Sequence, residues 1–112
     1  MKGTHDDPME LKPGETDRFY WIFGGANGFL ATGDSLTGTP TITGAGATVA
    51  GIARNSTPLT YEGVEYAADT VVYADVSDIE LGDKVELTCQ CATVAGRIAR
   101  PALWIRGVKN YS

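Results

Sequence analysis

The chain is expected to fold as an all-β domain, on three observations. Thr, Val, Ala, Gly and Tyr dominate its composition. No segment keeps apolar residues at i, i+3, i+4 and i+7 for long, so no amphipathic helix is indicated. Glycine falls between short apolar runs, as turn punctuation does. Extended runs recur at ~8–12-residue spacing, the pattern of a β-sandwich or barrel.

The bulk numbers fit one such domain. There are 112 residues, 43% hydrophobic and 21% charged, enough for one modest core without a disulfide. A net charge of −5 argues against a general phosphate-backbone binder, which needs clustered cations. Arg97, Arg100, Arg106 and Lys109 do gather toward one end. No run approaches the ~18 apolar residues of a membrane helix, and the polar start MKGTHDDPMELKPGETD carries the expectation of neither signal peptide nor anchor. The expected organisation is a polar N-terminal arm over 1–16 and a single domain over 17–112.

Within the arm, Pro8 disfavours a preceding helix, and Lys12-Pro13-Gly14-Glu15 fits a tight turn. The first strong strand runs from Asp17 to Phe23. Phe19, Trp21 and Phe23 share one face; Arg18, Tyr20 and Ile22 share the other. Both faces are apolar enough that the strand should be central or covered on its second side. GGANG, from Gly24 to Gly28, is a loop that fits neither phosphate-binding glycine pattern.

Beyond Gly33-Asp34-Ser35, a Thr-rich run over Leu36–Thr43 contains Pro40, the mark of an edge strand or strand start. A weak strand spans Ala47–Ala53. Short extended pieces at Thr57–Tyr61 and Val64–Ala67 flank a Glu62-Gly63 turn. Thr70–Val76 has the highest β propensity in the chain. Lys84–Val94 is a cleanly alternating strand, and Gly96-Arg97 turns it into a last strand over Ile98–Val108, making a final hairpin.

The only two cysteines stand in that alternating strand. Val85, Leu87, Cys89, Cys91 and Thr93 share its apolar face, opposite Lys84, Glu86, Thr88 and Gln90. Cα atoms two apart in a strand lie roughly 6.5–7 Å from each other with parallel Cβ vectors, a poor geometry for a mutual disulfide. Zinc needs four ligands, and the one histidine, His5, is in the arm. The thiols are therefore expected as reduced core residues, with no metal and no cofactor.

No catalytic residue is expected either, since a Ser- or Cys-based triad would have to use His5. Asp75, Asp78, Glu80 and Asp83 offer oxygen ligands for calcium, but their spacing is not that of the EF-hand loop, and a solvated turn explains them as well. Asn55-Ser56-Thr57 matches a glycosylation sequon. Tyr61, Tyr66, Tyr73, Trp104 and Tyr111 are candidate exposed aromatics. If Leu103 and Ile105 face the core, Trp104 points outward beside Arg106. There it is an interface anchor, a sugar-stacking platform or a residue covered by the arm.

Four stretches occur in order. They are Asp7-Pro8, then Asp17-Arg18-Phe19-Tyr20-Trp21, then Leu30 to Leu36 (LATGDSL), and finally Leu81 to Arg97 (LGDKVELTCQCATVAGR). This order resembles the fiber–tail adaptor type of tailed-phage virion protein. In that pattern DP leads into an aromatic strand, a G-D-x-[IL] segment follows, and the final hairpin reads roughly G-x-x-Y-x-[VL]-T-x-x-[VA]-T-x-x-G-R. The likeness covers about Asp7 to Ile105. Two differences are clear: Gly44 to Ala68 is longer than the pattern, and the pattern's usual Trp after the Ser-rich turn has no counterpart. Nor are the hallmarks of a true antibody-type domain present, since Leu87 rather than Tyr stands two residues before Cys89.

The resemblance implies an immunoglobulin-like β-sandwich without enzymatic activity, docked to tail, portal or fiber subunits in a multi-copy ring. It implies a virion protein assembled in the bacterial cytoplasm, with neither nucleic acid nor membrane as partner. Contacts are expected from Pro8 and Lys12 in the arm, Gly24 and Asn27 in the loop, and the outward pair Trp104 and Arg106. A capsid decoration protein and a carbohydrate-binding sandwich using Trp104 and the tyrosines are the alternatives.

Overall fold

A computed structural model describes residues 3–24 and 29–112, and no helix occurs among them. The strands are β1 (Met9–Leu11), β2 (Asp17–Ile22), β3 (Leu36–Thr43), β4 (Thr48–Arg54), β5 (Leu59–Tyr61), β6 (Val64–Tyr66), β7 (Val71–Ser77), β8 (Lys84–Thr93), β9 (Ile98–Ala99) and β10 (Ala102–Gly107). One sheet has the order β1-β10-β8-β3, with β9 also on β8; a second has the order β2-β7-β4; β5 and β6 form a separate hairpin. All pairings are antiparallel except β1 on β10.

The two larger sheets share one core, which is the arrangement of a β-sandwich. Phe19 and Trp21 from β2 and Val72, Ala74 and Val76 from β7 meet Leu36, Val85, Leu87, Cys89, Cys91 and Ile105 from the opposite sheet. The alternation expected for Lys84–Val94 is the burial pattern of β8, whose even-numbered positions face out. Trp21 also joins the layers by a polar bond: its Nε1–H donates to the Leu87 carbonyl at 3.0 Å.

Two details differ from the sequence reading. Within the stretch expected as an arm, Met9–Leu11 is built into the sheet as β1, and Leu11 is fully buried. Three residues are too few for their alternation to register as a strand. The last strand is interrupted: Pro101 separates β9 from β10 because it cannot donate to the ladder, although its carbonyl still accepts from Cys89 N–H at 2.9 Å. The expected weak strand over Ala47–Ala53 is found as β4, and the extended pieces expected on either side of Glu62-Gly63 pair as the β5–β6 hairpin. Pro40 also sits where an edge residue should. It lies in the outer strand β3, at a register shift between Thr37 and Thr41.

Candidate functional site

The two sheets approach each other through β3 and β4 on one side. On the other side their free edges, β1 and β2, flank an open cleft of about 490 Å³. Its walls are Tyr20, Trp21 and Ile22 of β2, Pro101, Ala102 and Leu103 at the head of β10, Gly3, Thr4 and Met9, and the β5–β6 hairpin with Tyr61, Glu62, Val64 and Tyr66. A volume of this size is in the ordinary range for binding sites.

The hairpin forms the third wall because of its turn and its root. At the turn, Glu62 and Gly63 both have positive φ, 51° and 78°, the type I′ geometry that suits the twist of a two-residue hairpin. At the root lies Asn55, which is 3% exposed. Its Nδ2 donates to the carbonyls of Thr57 (3.1 Å) and Ala67 (2.8 Å), while its Oδ1 accepts from the N–H groups of Thr70 (3.0 Å) and Val71 (2.9 Å). All four hydrogen-bonding positions of the amide are used, so the residue clamps the two ends of the excursion together. The sequon asparagine is thus a buried structural residue, with its amide nitrogen turned inward.

Tyr61 then packs over Tyr20, with ring centroids 4.6 Å apart, and Tyr20 neighbours Tyr73 at 6.1 Å. This is the cover expected over the second face of the Asp17–Phe23 strand. Burial, with help from Glu62, holds the Tyr61 phenol above its ordinary pKa. On the same face the Arg18 guanidinium bonds to Asp75 at 3.2 Å and lies 4.7 Å above the Tyr73 ring. Its charge is reinforced chiefly by that bond to Asp75.

The backbone at the cleft floor has a definite polarity. Phe23 N–H donates to Thr70 O, so by alternation Trp21 and Phe19 bond to β7, and Arg18 and Tyr20 turn their N–H and C=O outward. The Arg18 N–H is capped by the Asp17 carboxylate at 2.8 Å. On β10, Pro101 O accepts from Cys89 and Gly107 N–H donates to Asp83 O. Leu103 and Ile105 therefore bond to β8, while Ala102, Trp104 and Arg106 turn outward. Trp104 N–H is taken by Gly3 O at 2.8 Å. Ala102 lies beyond the end of the β1 ladder, which covers Ile105 to Gly107.

The residues expected as contacts are placed in several ways. Trp104 is half-buried with the His5 ring edge-on to it at 4.7 Å, so it is covered from within the chain. Lys84 Nζ holds the same segment by donating to His5 O at 2.8 Å. Arg106 is exposed, opposite Glu10 in the β1 register. Pro8 is half-buried. Lys12 N–H donates to the Tyr111 hydroxyl, and its ammonium sits 5.6 Å over that ring. Gly24 is buried, and a Cβ there would lie 2.9 Å from Thr70 Cβ. Asn27, like Lys2, lies outside the described residues. Sequence reading missed the cleft itself; its signal was present in the apolar second face of β2 and in the tyrosines flanking Glu62-Gly63.

The thiols occupy the core. Burial, with a contribution from Cys91, pushes Cys89 up to about 12, and burial also raises Cys91, whose Sγ–H points at Thr37 O at 3.4 Å. Around the acidic corner Asp75 pairs with Arg18, and Asp83 N–H closes a turn onto Glu80 O. No group of three potential metal ligands converges among the described residues. In comparisons with known proteins, the chain matches no family model, no curated protein and no solved structure.

Proposed function

We propose that this chain is a non-enzymatic structural protein of a tailed-phage virion, an adaptor that docks tail or fiber components at a junction of the particle. The observation that carries the reading is how the stretches behind the family resemblance bond to one another. Asp34 Oδ1, in the G-D-S segment, accepts from Ala95 N–H at 3.1 Å, and Val94 N–H donates to Ser35 O at 2.9 Å. That segment therefore cements the closing turn of the final hairpin. Trp21 of the aromatic strand donates to Leu87 of the same hairpin. These bonds support reading the separate stretches as parts of one pattern.

The strand order supports the finer fold reading. The sheets β2-β7-β4 and β10-β8-β3 follow the sequence order B-E-D and G-F-C of an immunoglobulin-like sandwich, with β1 added to the last strand and the β5–β6 hairpin inserted between the fourth and fifth. Both thiols are buried in the core, and the exposed His5 ring lies edge-on to Trp104. A protein inventory of purified particles tests the proposal. The chain should be among the virion proteins, in the ring-like copy number of a junction; its absence overturns the reading. A capsid decoration role is separated by its much higher copy number.

A further inference from the structure

We infer that the cleft between β1 and β2 is a receptor for an extended segment of a partner protein, one that alternates apolar side chains and carries a lysine or arginine. This rests on the reading of the chain as a docking module and names the surface and the kind of partner.

Three observations carry it. First, the cleft floor presents backbone groups in strand geometry from two directions. Ala102 on β10 and Tyr20 on β2 both turn N–H and C=O toward the opening. The β1 ladder stops at Ile105 and Gly3 O takes the Trp104 N–H, so a strand entering beside Ala102 extends the bonded edge beyond Gly3. Second, the lining is aromatic and aliphatic: Tyr20, Phe29, Tyr61, Val64, Tyr66 and Leu103 receive alternate side chains of such a strand. Third, the charge is one-sided. Among the described residues, Glu62 is the only one in the lining charged at neutral pH, it is exposed, and the chain as a whole carries −5. An incoming cation is matched there, and an incoming carboxylate is opposed.

The rest of the surface argues less for a partner. Val94 and Ile98 are exposed at the tip of the final hairpin with Arg97 between them, but nothing in the structure defines what would cover them. A stacked sugar is the rival occupant of the cleft, favoured by its tyrosines. Outward amide and carbonyl groups at strand spacing favour a polypeptide.

The test is a display selection of random peptides of about a dozen residues on the intact protein, followed by amide hydrogen exchange with the enriched peptides bound. The expected peptides alternate apolar positions and include Lys or Arg, and they protect the amides of Tyr20 and Ala102. Ala102→Pro removes only an outward N–H, beside an existing proline and away from the β8 ladder. It should weaken binding at least tenfold with an unchanged melting temperature, whereas Ala102→Ser should bind as the parent. Glu62→Gln should weaken Lys-bearing peptides several-fold and reduce their salt dependence. Val94→Asp, at the distant hairpin tip, should change nothing. No enriched peptide, protection mapped elsewhere, or an Ala102→Pro variant that binds normally would overturn the inference. So would oligosaccharides that protect the cleft amides where peptides do not. The particle inventory is a separate measurement: a chain absent from virions that still passes the peptide test loses the virion reading and keeps the receptor.

Discussion

Asn55 is the residue on which the third wall of the cleft depends, because its four hydrogen bonds tie Thr57, Ala67, Thr70 and Val71 to one buried amide. Replacing it with Ala leaves buried donors and acceptors unpaired, and a loss of about 2–4 kcal/mol in denaturant unfolding is expected. Asn55→Asp keeps the acceptor but turns a second oxygen toward two carbonyls. Its deficit should be largest at neutral pH and shrink in acid, where a protonated carboxyl donates one bond. Trp21→Phe removes both volume and the bond to Leu87 O, and should cost about 1–3 kcal/mol. The thiols make a kinetic prediction: with Cys89 pushed up to about 12 and both side chains buried, a thiol reagent should label neither until the chain is unfolded. Fast native labelling would contradict the packing described. The facing of Cys89 and Cys91 was legible from alternation alone. The role of Asn55 was not, because the sequence marks it only as part of a sequon, and its partners lie up to sixteen residues away.

At the scale of elements, the hairpin and the closing turn are the parts that can be perturbed separately. Gly63 has φ 78° with open space around it, so Gly63→Ala costs only the left-handed backbone penalty, about 1 kcal/mol. Its effect should appear as faster amide exchange in β5 and β6 rather than in the core. Asp34 links the G-D-S segment to the final turn. Burial opposes its ionisation, but hydrogen bonds from Ala95 N–H, the Thr93 hydroxyl and Ser35 N–H, with the nearby Arg97 charge, outweigh that, and its pKa is lowered. A carboxylate with a depressed folded pKa contributes stability that is present above its unfolded value of about 3.9 and is lost as pH falls through the folded value. Acid unfolding should therefore loosen the β8–β9 turn, and Asp34→Asn should flatten that part of the pH dependence. Strong strands such as β2, β7 and β8 were legible because one face is apolar over six or more residues. The three-residue β1 and the break at Pro101 were not, since pairing with distant strands defines them and local pattern does not.

For the whole molecule, composition and alternation were enough to expect an all-β domain, and the two facing sheets agree with that. The cleft left only scattered signs in the sequence for a topological reason: it lies where β1, β2, β10 and an inserted hairpin come together, and these are remote in the chain. Trp104, chosen from its outward register, is covered by His5 from the N-terminal segment, while the opening is lined by tyrosines on the hairpin and β2. We propose that this sandwich is a junction component of a tailed-phage particle. Electron microscopy of the intact particle, joined to its protein inventory, tests it most directly. The expected result is density for this fold at a tail junction, in a symmetric ring on the order of ten copies, with the cleft side against a neighbouring subunit. A particle that lacks the chain, or that carries it only on the capsid lattice, would contradict the claim.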